Sequence, residues 1–190
     1  MNDVVLNSVC KSYDEKAVVK GFSYSFKQGK RYCIMGESGC GKTTLLNIIM
    51  GLIPCDSGEI FGVPTSVSAV FQEDRLCEDF TPVGNLLAVC EKGRDVGEIY
   101  EILQELGLDE HKDKEVSLLS GGQKRRVAIA RALFAKGDLI IMDEPFKGLD
   151  DSLKESVIQT IIRRTAGKTL VVATHDISEC RMLGAELIIL

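Results

Sequence analysis

The stretch Gly36-Glu37-Ser38-Gly39-Cys40-Gly41-Lys42-Thr43-Thr44 constrains this chain more than any other. It fits the pattern glycine, four residues, Gly-Lys-Ser/Thr, and its flanks agree with it. Arg31-Tyr32-Cys33-Ile34-Met35 predicts a short buried strand before it, and Leu45, Leu46, Ile48 and Ile49 predict a helix after it that ends at Gly51. A strand, a glycine loop and a helix start in that order belong to an α/β fold on a mainly parallel sheet. Glycines let successive backbone N–H groups converge on phosphate oxygens, and the helix start adds the positive end of its dipole. Lys42 is expected to reach the β- and γ-phosphates of a nucleotide, and the Thr43 hydroxyl to coordinate Mg²⁺. The alternative, a glycine-rich turn before an ordinary helix, explains neither the coincidence of specified positions nor the flanks.

At 190 residues, 45% hydrophobic and 27% charged, the chain has the composition of an ordinary soluble globular protein of one domain, with room for an inserted subdomain. A net charge of −5 gives no basic footprint, so no nucleic-acid partner is expected. The seven cysteines are scattered, odd in number and without a Cys-x-x-Cys pair; they argue against a disulfide framework or zinc ribbon and for a reducing compartment. Cys40, inside the glycine loop, reads as a small filler or as a thiol in a positive local field. Met1-Asn2-Asp3-Val4 has no basic region followed by an apolar one, so no signal peptide is expected. No apolar run approaches the roughly 20 residues that span a bilayer, so work at a membrane would run through a partner.

Residues 3 to 35 read as a β-rich entry, in which Phe22, Tyr24 and Phe26 alternate with Ser23 and Ser25 as a strand with one apolar face. Tyr13 precedes it in a polar loop, where an aromatic ring either stacks on a purine or lies half-buried. Further on, Val67-Ser68-Ala69-Val70-Phe71 runs into Gln72, a polar strand-end side chain suited to sensing a metal or an attacking water. Residues 82 to 118 change character. Ile99, Ile102, Leu103 and Leu106 mark one helix face and Gly107 a C-cap, so a helical insertion over roughly 78–135 is the simplest account. The charged run Asp109 to Glu115, with His111 in it, is expected to be a solvated loop, with no second histidine or cysteine near enough for a metal site.

Ser120-Gly121-Gly122-Gln123 opens an Ala-rich helix that runs to Ala135, and reads either as a second anion-binding helix start or as a serine cap with flexible glycines. Leu139-Ile140-Ile141-Met142 is an uninterrupted apolar run, the mark of a strand buried on both faces of a parallel sheet. It ends in Asp143-Glu144. Beside a phosphate loop, the first carboxylate is expected to hold Mg²⁺ and the second to polarise the attacking water. Leu153, Val157, Ile161 and Ile162 mark a helix, Thr169 to Ala173 another buried strand, and Glu186 to Leu190 a last one. His175 follows at a strand tip, on the ligand side of such sheets.

With these motifs in this order, the chain resembles the ATP-binding-cassette (ABC) transporter ATPases over nearly its whole length. The resemblance implies one nucleotide-binding domain over residues 1–190: a P-loop NTPase with a mainly parallel core sheet, an antiparallel β subdomain at the N-terminus and the inserted helical subdomain. Tyr13 then matches the adenine-stacking aromatic, Gly36 to Thr43 the phosphate loop, and Gln72 the glutamine that links nucleotide to membrane partner. Ser120, Gly121, Gly122 and Gln123 match the family signature, Ile140 to Asp143 the metal-binding strand and Glu144 the catalytic glutamate. Gly148-Leu149-Asp150 matches the loop that touches the opposite subunit, and His175 the switch histidine.

By the same resemblance two cassettes face head to tail, so that Ser120 and Gly122 act in trans on the partner's ATP. Lys42, Thr43, Gln72 and Asp143 place phosphates and Mg²⁺, Glu144 orients or deprotonates water, and His175 holds the γ-phosphate. With no motif missing, a homodimer would hydrolyse ATP at both sites. The implied partners are a second ABC ATPase, integral membrane permease subunits and an extracytoplasmic solute-binding protein, with the chain on the cytoplasmic face of the membrane. Phe71 to Leu76 and Asp143 to Asp150 look like the ATPases of nitrate, sulfonate and bicarbonate type importers. The chain departs from many members in its compact helical insertion and in stopping at Leu190, which bears on regulation rather than on the ATP site. An exporter or lipoprotein-release ATPase would carry the same motifs. A soluble ABC protein acting on nucleic acid or ribosomes would add a coiled-coil insertion, zinc ligands or a second cassette, and a small-molecule kinase has no use for Ser120 to Gln123.

Overall fold

A computed structural model describes residues 2–14, 16–90, 95–135 and 137–190. Readings of the sequence that cross residue 15 or residues 91–94 fall there outside the described residues. In chain order the elements are β1 (Val4–Tyr13), β2 (Lys16–Phe26), β3 (Arg31–Met35), α1 (Lys42–Ile49), β4 (Ser57–Phe61), β5 (Val67–Val70), α2 (Pro82–Leu87) and α3 (Gly97–Glu105). Then come α4 (Gly121–Phe134), β6 (Leu139–Asp143), α5 (Asp151–Arg164), β7 (Thr169–Thr174), α6 (Ile177–Leu183) and β8 (Glu186–Ile189).

The central sheet has five strands in the order β5-β6-β7-β3-β8, every neighbour pair parallel. The run Leu139 to Met142 lies inside the sheet, between β5 and β7, with each residue fully buried, as a strand covered on both faces requires. Alternation along the strands divides the core in two. Leu139, Ile141, Val171 and Ala173 face a layer made by α1 and the antiparallel strands, with Leu6, Phe26, Leu45 and Ile49. Ile140, Met142, Leu170 and Val172 face the helices, with Ile102, Ile129, Val157 and Ile161. The second sheet is antiparallel, order β2-β1-β4, and supplies the N-terminal β layer.

Between β5 and β6 the described chain is helical. Thr81 caps α2, its side chain accepting from the Gly84 N–H at 3.0 Å, with Pro82 in the first turn. Ile99, Ile102, Leu103 and Leu106 are buried on one face, and Gly107 leaves the helix at φ 63°, a left-handed conformation suited to glycine.

Three expectations are corrected. Cys33 on β3 and Cys180 on α6 form a disulfide with Cα atoms 5.7 Å apart. They are 147 residues apart in sequence and are brought together only when α6 packs beside the sheet, so spacing gives no sign of the pair. Tyr13 lies at the end of β1, not in a loop, because the strand continues to the turn at Asp14; its ring is exposed. The run from Asp109 is not a solvated loop throughout: Asp109–His111 is a turn of 3-10 helix, and the His111 ring packs against Gln123.

Candidate functional site

The glycine loop lies between the end of β3 and the start of α1, as its sequence requires. Gly41 precedes α1 at φ 110°, and a Cβ there would stand 2.8 Å from the Val18 carbonyl oxygen, so both conformation and space demand glycine. No side chain caps α1, which leaves its first N–H groups as donors for an anion. Lys42 is buried and folds back over the loop, its Nζ donating to the Gly36 and Glu37 carbonyls at 2.7 and 3.1 Å. Thr43 Oγ1 donates to Asp143 Oδ2 at 2.5 Å, joining the loop to the end of β6.

Two carboxylates at that strand end have different surroundings. Burial raises the Asp143 carboxyl above the usual range, assisted by neighbouring Glu144 and opposed by the Thr43 hydrogen bond, Arg125 and Lys42. Glu144 sits at φ 47°, a backbone conformation that costs a non-glycine residue about 1–2 kcal/mol. Its N–H is tied to the Ala173 carbonyl at 2.9 Å, and its carboxylate meets His175 Nδ1 at 2.9–3.0 Å. That hydrogen bond, with the charge behind it, raises the His175 pKa above its ordinary value.

Around these groups opens a cleft of about 780 Å³, lined by Ser38, Gly39, Gly41, Lys42, Thr43 and Thr44 from the loop and by Gln72, Asp143, Glu144 and His175 from three strand ends. Val18 and Lys147 also line it; nothing in their sequence surroundings marks them. Gly36, Glu37 and Cys40 belong to the loop without lining the cleft, and Tyr13 lies outside it. Ser120 to Gln123 and Asp150 are outside it as well.

Ser120 caps α4 in a reciprocal pair: its Oγ accepts from the Gln123 N–H at 3.3 Å and its own N–H donates to Gln123 Oε1 at 2.8 Å. With Oε1 so engaged, Gln123 Nε2 is the donor toward His111 Nε2, 2.8 Å away. The other ring nitrogen of His111, Nδ1, is buried and has no partner among the described residues. Gly122 approaches the next loop so closely that a Cβ would lie 3.1 Å from the Gly148 carbonyl oxygen. Asp150 in that loop caps α5 by accepting from the Leu153 N–H at 3.0 Å, a bond that holds its carboxyl below the usual range.

Sequence reasoning passed over three arginines of α4. Arg125 and Arg126 are buried although they stand in the basic run Lys124-Arg125-Arg126. Arg126 donates to the Leu106 and Gly107 carbonyls at 2.7 and 2.8 Å, closing the end of α3 against α4, while burial lowers its pKa. Arg131 donates to the carbonyls of Asp74 and Arg75. Apart from the Asp74 carboxylate beside Arg125 and the Gly122 carbonyl beside Arg126, their acceptors are backbone carbonyls outside α4, for which no residue pattern exists.

A glycine loop at the carboxyl end of a parallel strand, with a threonine and two acids converging on one cleft, defines a phosphate-loop nucleotide-binding protein. The comparisons narrow this: the ABC transporter family model matches residues 19–147, and the chain belongs to that family. It is 35% identical to the spermidine/putrescine import ATP-binding protein PotA of Spiroplasma citri, over all of this chain and 59% of that protein. It is 33% identical to the taurine import ATP-binding protein TauB of Escherichia coli O157:H7, over 94% of this chain and 75% of that one. The chain thus spans between half and three fifths of the PotA relatives it matches. Among solved structures it is similar to the dimeric bacterial ABC transporter cassette MJ0796, with a TM-score of 0.86 and 30% identity over 98% of this chain and 94% of that one. The same cassette in a post-hydrolysis dimer bound to ADP and Pi gives a TM-score of 0.88 at 31% identity over the same shares.

Proposed function

We propose that the chain binds MgATP and hydrolyses it as the nucleotide-binding subunit of an ABC importer, working as a head-to-tail pair on a membrane permease. The observation that carries this reading is the convergence of Lys42, Thr43, Gln72, Asp143, Glu144 and His175 on one cleft. The donor set at the Thr43–Asp143 contact is hard oxygen, one hydroxyl and one carboxylate, with the Gln72 amide nearby, which fits Mg²⁺ held partly by nucleotide phosphates. Thr43 and Asp143, with Gln72 beside them, would hold the ion, whose chemistry there would be to offset negative charge on the phosphates.

This chain's own groups would do the rest. The N–H groups at the start of α1 receive the phosphates. Lys42 exchanges its two loop carbonyls for phosphate oxygens, and Tyr13 stacks on the base. Glu144 orients the attacking water and accepts its proton, and His175 leaves Glu144 to hold the γ-phosphate. Ser120 and Gly122 act on the partner's nucleotide; their lying outside this chain's own cleft, and the dimers formed by MJ0796, support that arrangement. Residues 1–190 then form one nucleotide-binding domain whose helical part, roughly 78–135, carries the signature.

The import direction rests on relatives named as import ATP-binding proteins. Among the described residues no helix is long and apolar enough to cross a membrane. On the importer reading the chain sits at the cytoplasmic face through the permease, with an extracytoplasmic binding protein delivering the solute. The test is Glu144→Gln. This variant should keep MgATP binding and lose turnover by about 10²–10⁴-fold, the usual worth of a positioned general base. Turnover at the parent rate would remove Glu144 from the mechanism.

A further inference from the structure

Arg125 touches no nucleotide-binding group directly, yet its guanidinium is the point where three parts of the site meet. All five of its N–H donors are engaged. Nε donates to the Pro145 carbonyl at 3.2 Å, and Nη2 to the carbonyls of Asp143 and Glu144, the latter at 2.8 Å. Nη1 donates to the Phe71 carbonyl at 2.6 Å and to Asp74 Oδ1 at 2.9 Å. Four of the five acceptors are backbone carbonyls, so the contacts fix main chain rather than side chains. They belong to the end of β6, which carries the metal-binding and catalytic acids, and to the segment after β5, which carries Gln72. The arginine itself stands on α4, five residues past Ser120.

We infer that Arg125 is a positioning residue for ATP hydrolysis: it clamps the Asp143–Pro145 turn and the Gln72 segment to the signature helix, so that each chain's catalytic acids move with the surface that completes the partner's site. The backbone of Glu144 gives the clamp a task. Its positive φ persists only where neighbours over-determine it, and Arg125 holds the carbonyl on either side of that residue's Cα, those of Asp143 and Glu144. A planar fork is needed, because the five acceptors surround the guanidinium plane; the lysine ammonium, with three donors, cannot serve them all. The side chain is buried, and its acidic partner Asp74 is a quarter exposed, so the clamp works by shape and hydrogen bonding more than by charge pairing.

The inference rests on the ATPase reading, and its test separates the two. Arg125→Lys keeps the charge without the fork; Arg125→Met keeps the stem alone. For both, the Kd for MgATP should stay within about threefold of the parent, since the phosphate loop is untouched, while kcat falls by about 10²-fold, the cost of a misplaced catalytic group. Arg125→Lys should recover little of it. Backbone hydrogen exchange without nucleotide should quicken at residues 71–76 and 143–148 and stay unchanged in β7. Exchange at the parent rate in both segments, retained kcat in a folded variant, or loss of Kd and kcat together would overturn the clamp. An inactive parent would overturn the ATPase reading while exchange still judges the clamp. Should both arginine variants fail to fold, Asp74→Asn keeps the arginine and loosens one arm. It should quicken exchange at 71–76 and lower kcat about three- to tenfold with Kd unchanged, and parental values for both would reject the proposal.

Discussion

At the scale of single residues, the pairing of Glu144 with His175 sets a pH dependence whose sign can be worked out. The hydrogen bond to Glu144 raises the folded-state pKa of His175 above its ordinary value. Its stabilising contribution is therefore complete below the unfolded value, near 6.5, and is lost as pH rises through the raised folded value. Because 73% of the His175 side chain is exposed, screening holds that contribution to about 1 kcal/mol or less. The His175→Asn change should lower the urea midpoint more at pH 5.5 than at pH 9, as read by unfolding titrations at about those two values; equal losses at both would show that the pair carries no stability. Both residues were legible in the sequence as polar groups ending buried strands, but their contact was not, since it joins strand tips 31 residues apart. His111 shows the reverse failure. Its charged neighbours suggest solvent, and only the turn that carries it back to the start of α4 reveals Gln123 as its partner.

At the scale of elements, the cap of α4 does two things that can be measured separately. Loss of the hydroxyl in Ser120→Ala removes the bond to the Gln123 N–H and should cost about 0.5–2 kcal/mol of stability, the usual worth of an N-cap. Since Ser120 does not line its own chain's cleft, MgATP affinity of the separated subunit should not change, whereas turnover should fall. Unfolding curves and nucleotide titrations on one preparation check both; weakened binding by the separated subunit would contradict a role in trans. The strands that form the sheet were legible because burial on both faces demands unbroken apolar runs, as in Leu139 to Met142. The helical insertion was legible from the spacing of Ile99, Ile102, Leu103 and Leu106. Arg125 and Arg126 were not, because a basic run suggests a solvated face while most of their acceptors are main-chain atoms of distant elements. The Cys33–Cys180 bond was hidden for a similar reason, its partners meeting only through the packing of α6 beside β3.

At the scale of the whole molecule, the account depends on a pair. The cleft gathers the phosphate loop, the two acids, Gln72 and His175, but leaves Ser120 to Gln123 on another part of the surface, so one chain alone offers its nucleotide an open site. Two chains facing head to tail would close both sites at once, and Gly122, packed against Gly148, would join each signature to the loop before α5. Dimeric structures of the MJ0796 cassette, similar over 98% of this chain, support that geometry. The most direct test is sedimentation of the Glu144→Gln protein with and without MgATP, at a concentration where the nucleotide-free protein is monomeric. A shift to a dimer that needs both ATP and Mg²⁺, and that is lost when Ser120→Ala is added, is the predicted result. A Glu144→Gln protein that binds MgATP and stays monomeric would contradict the shared-site mechanism.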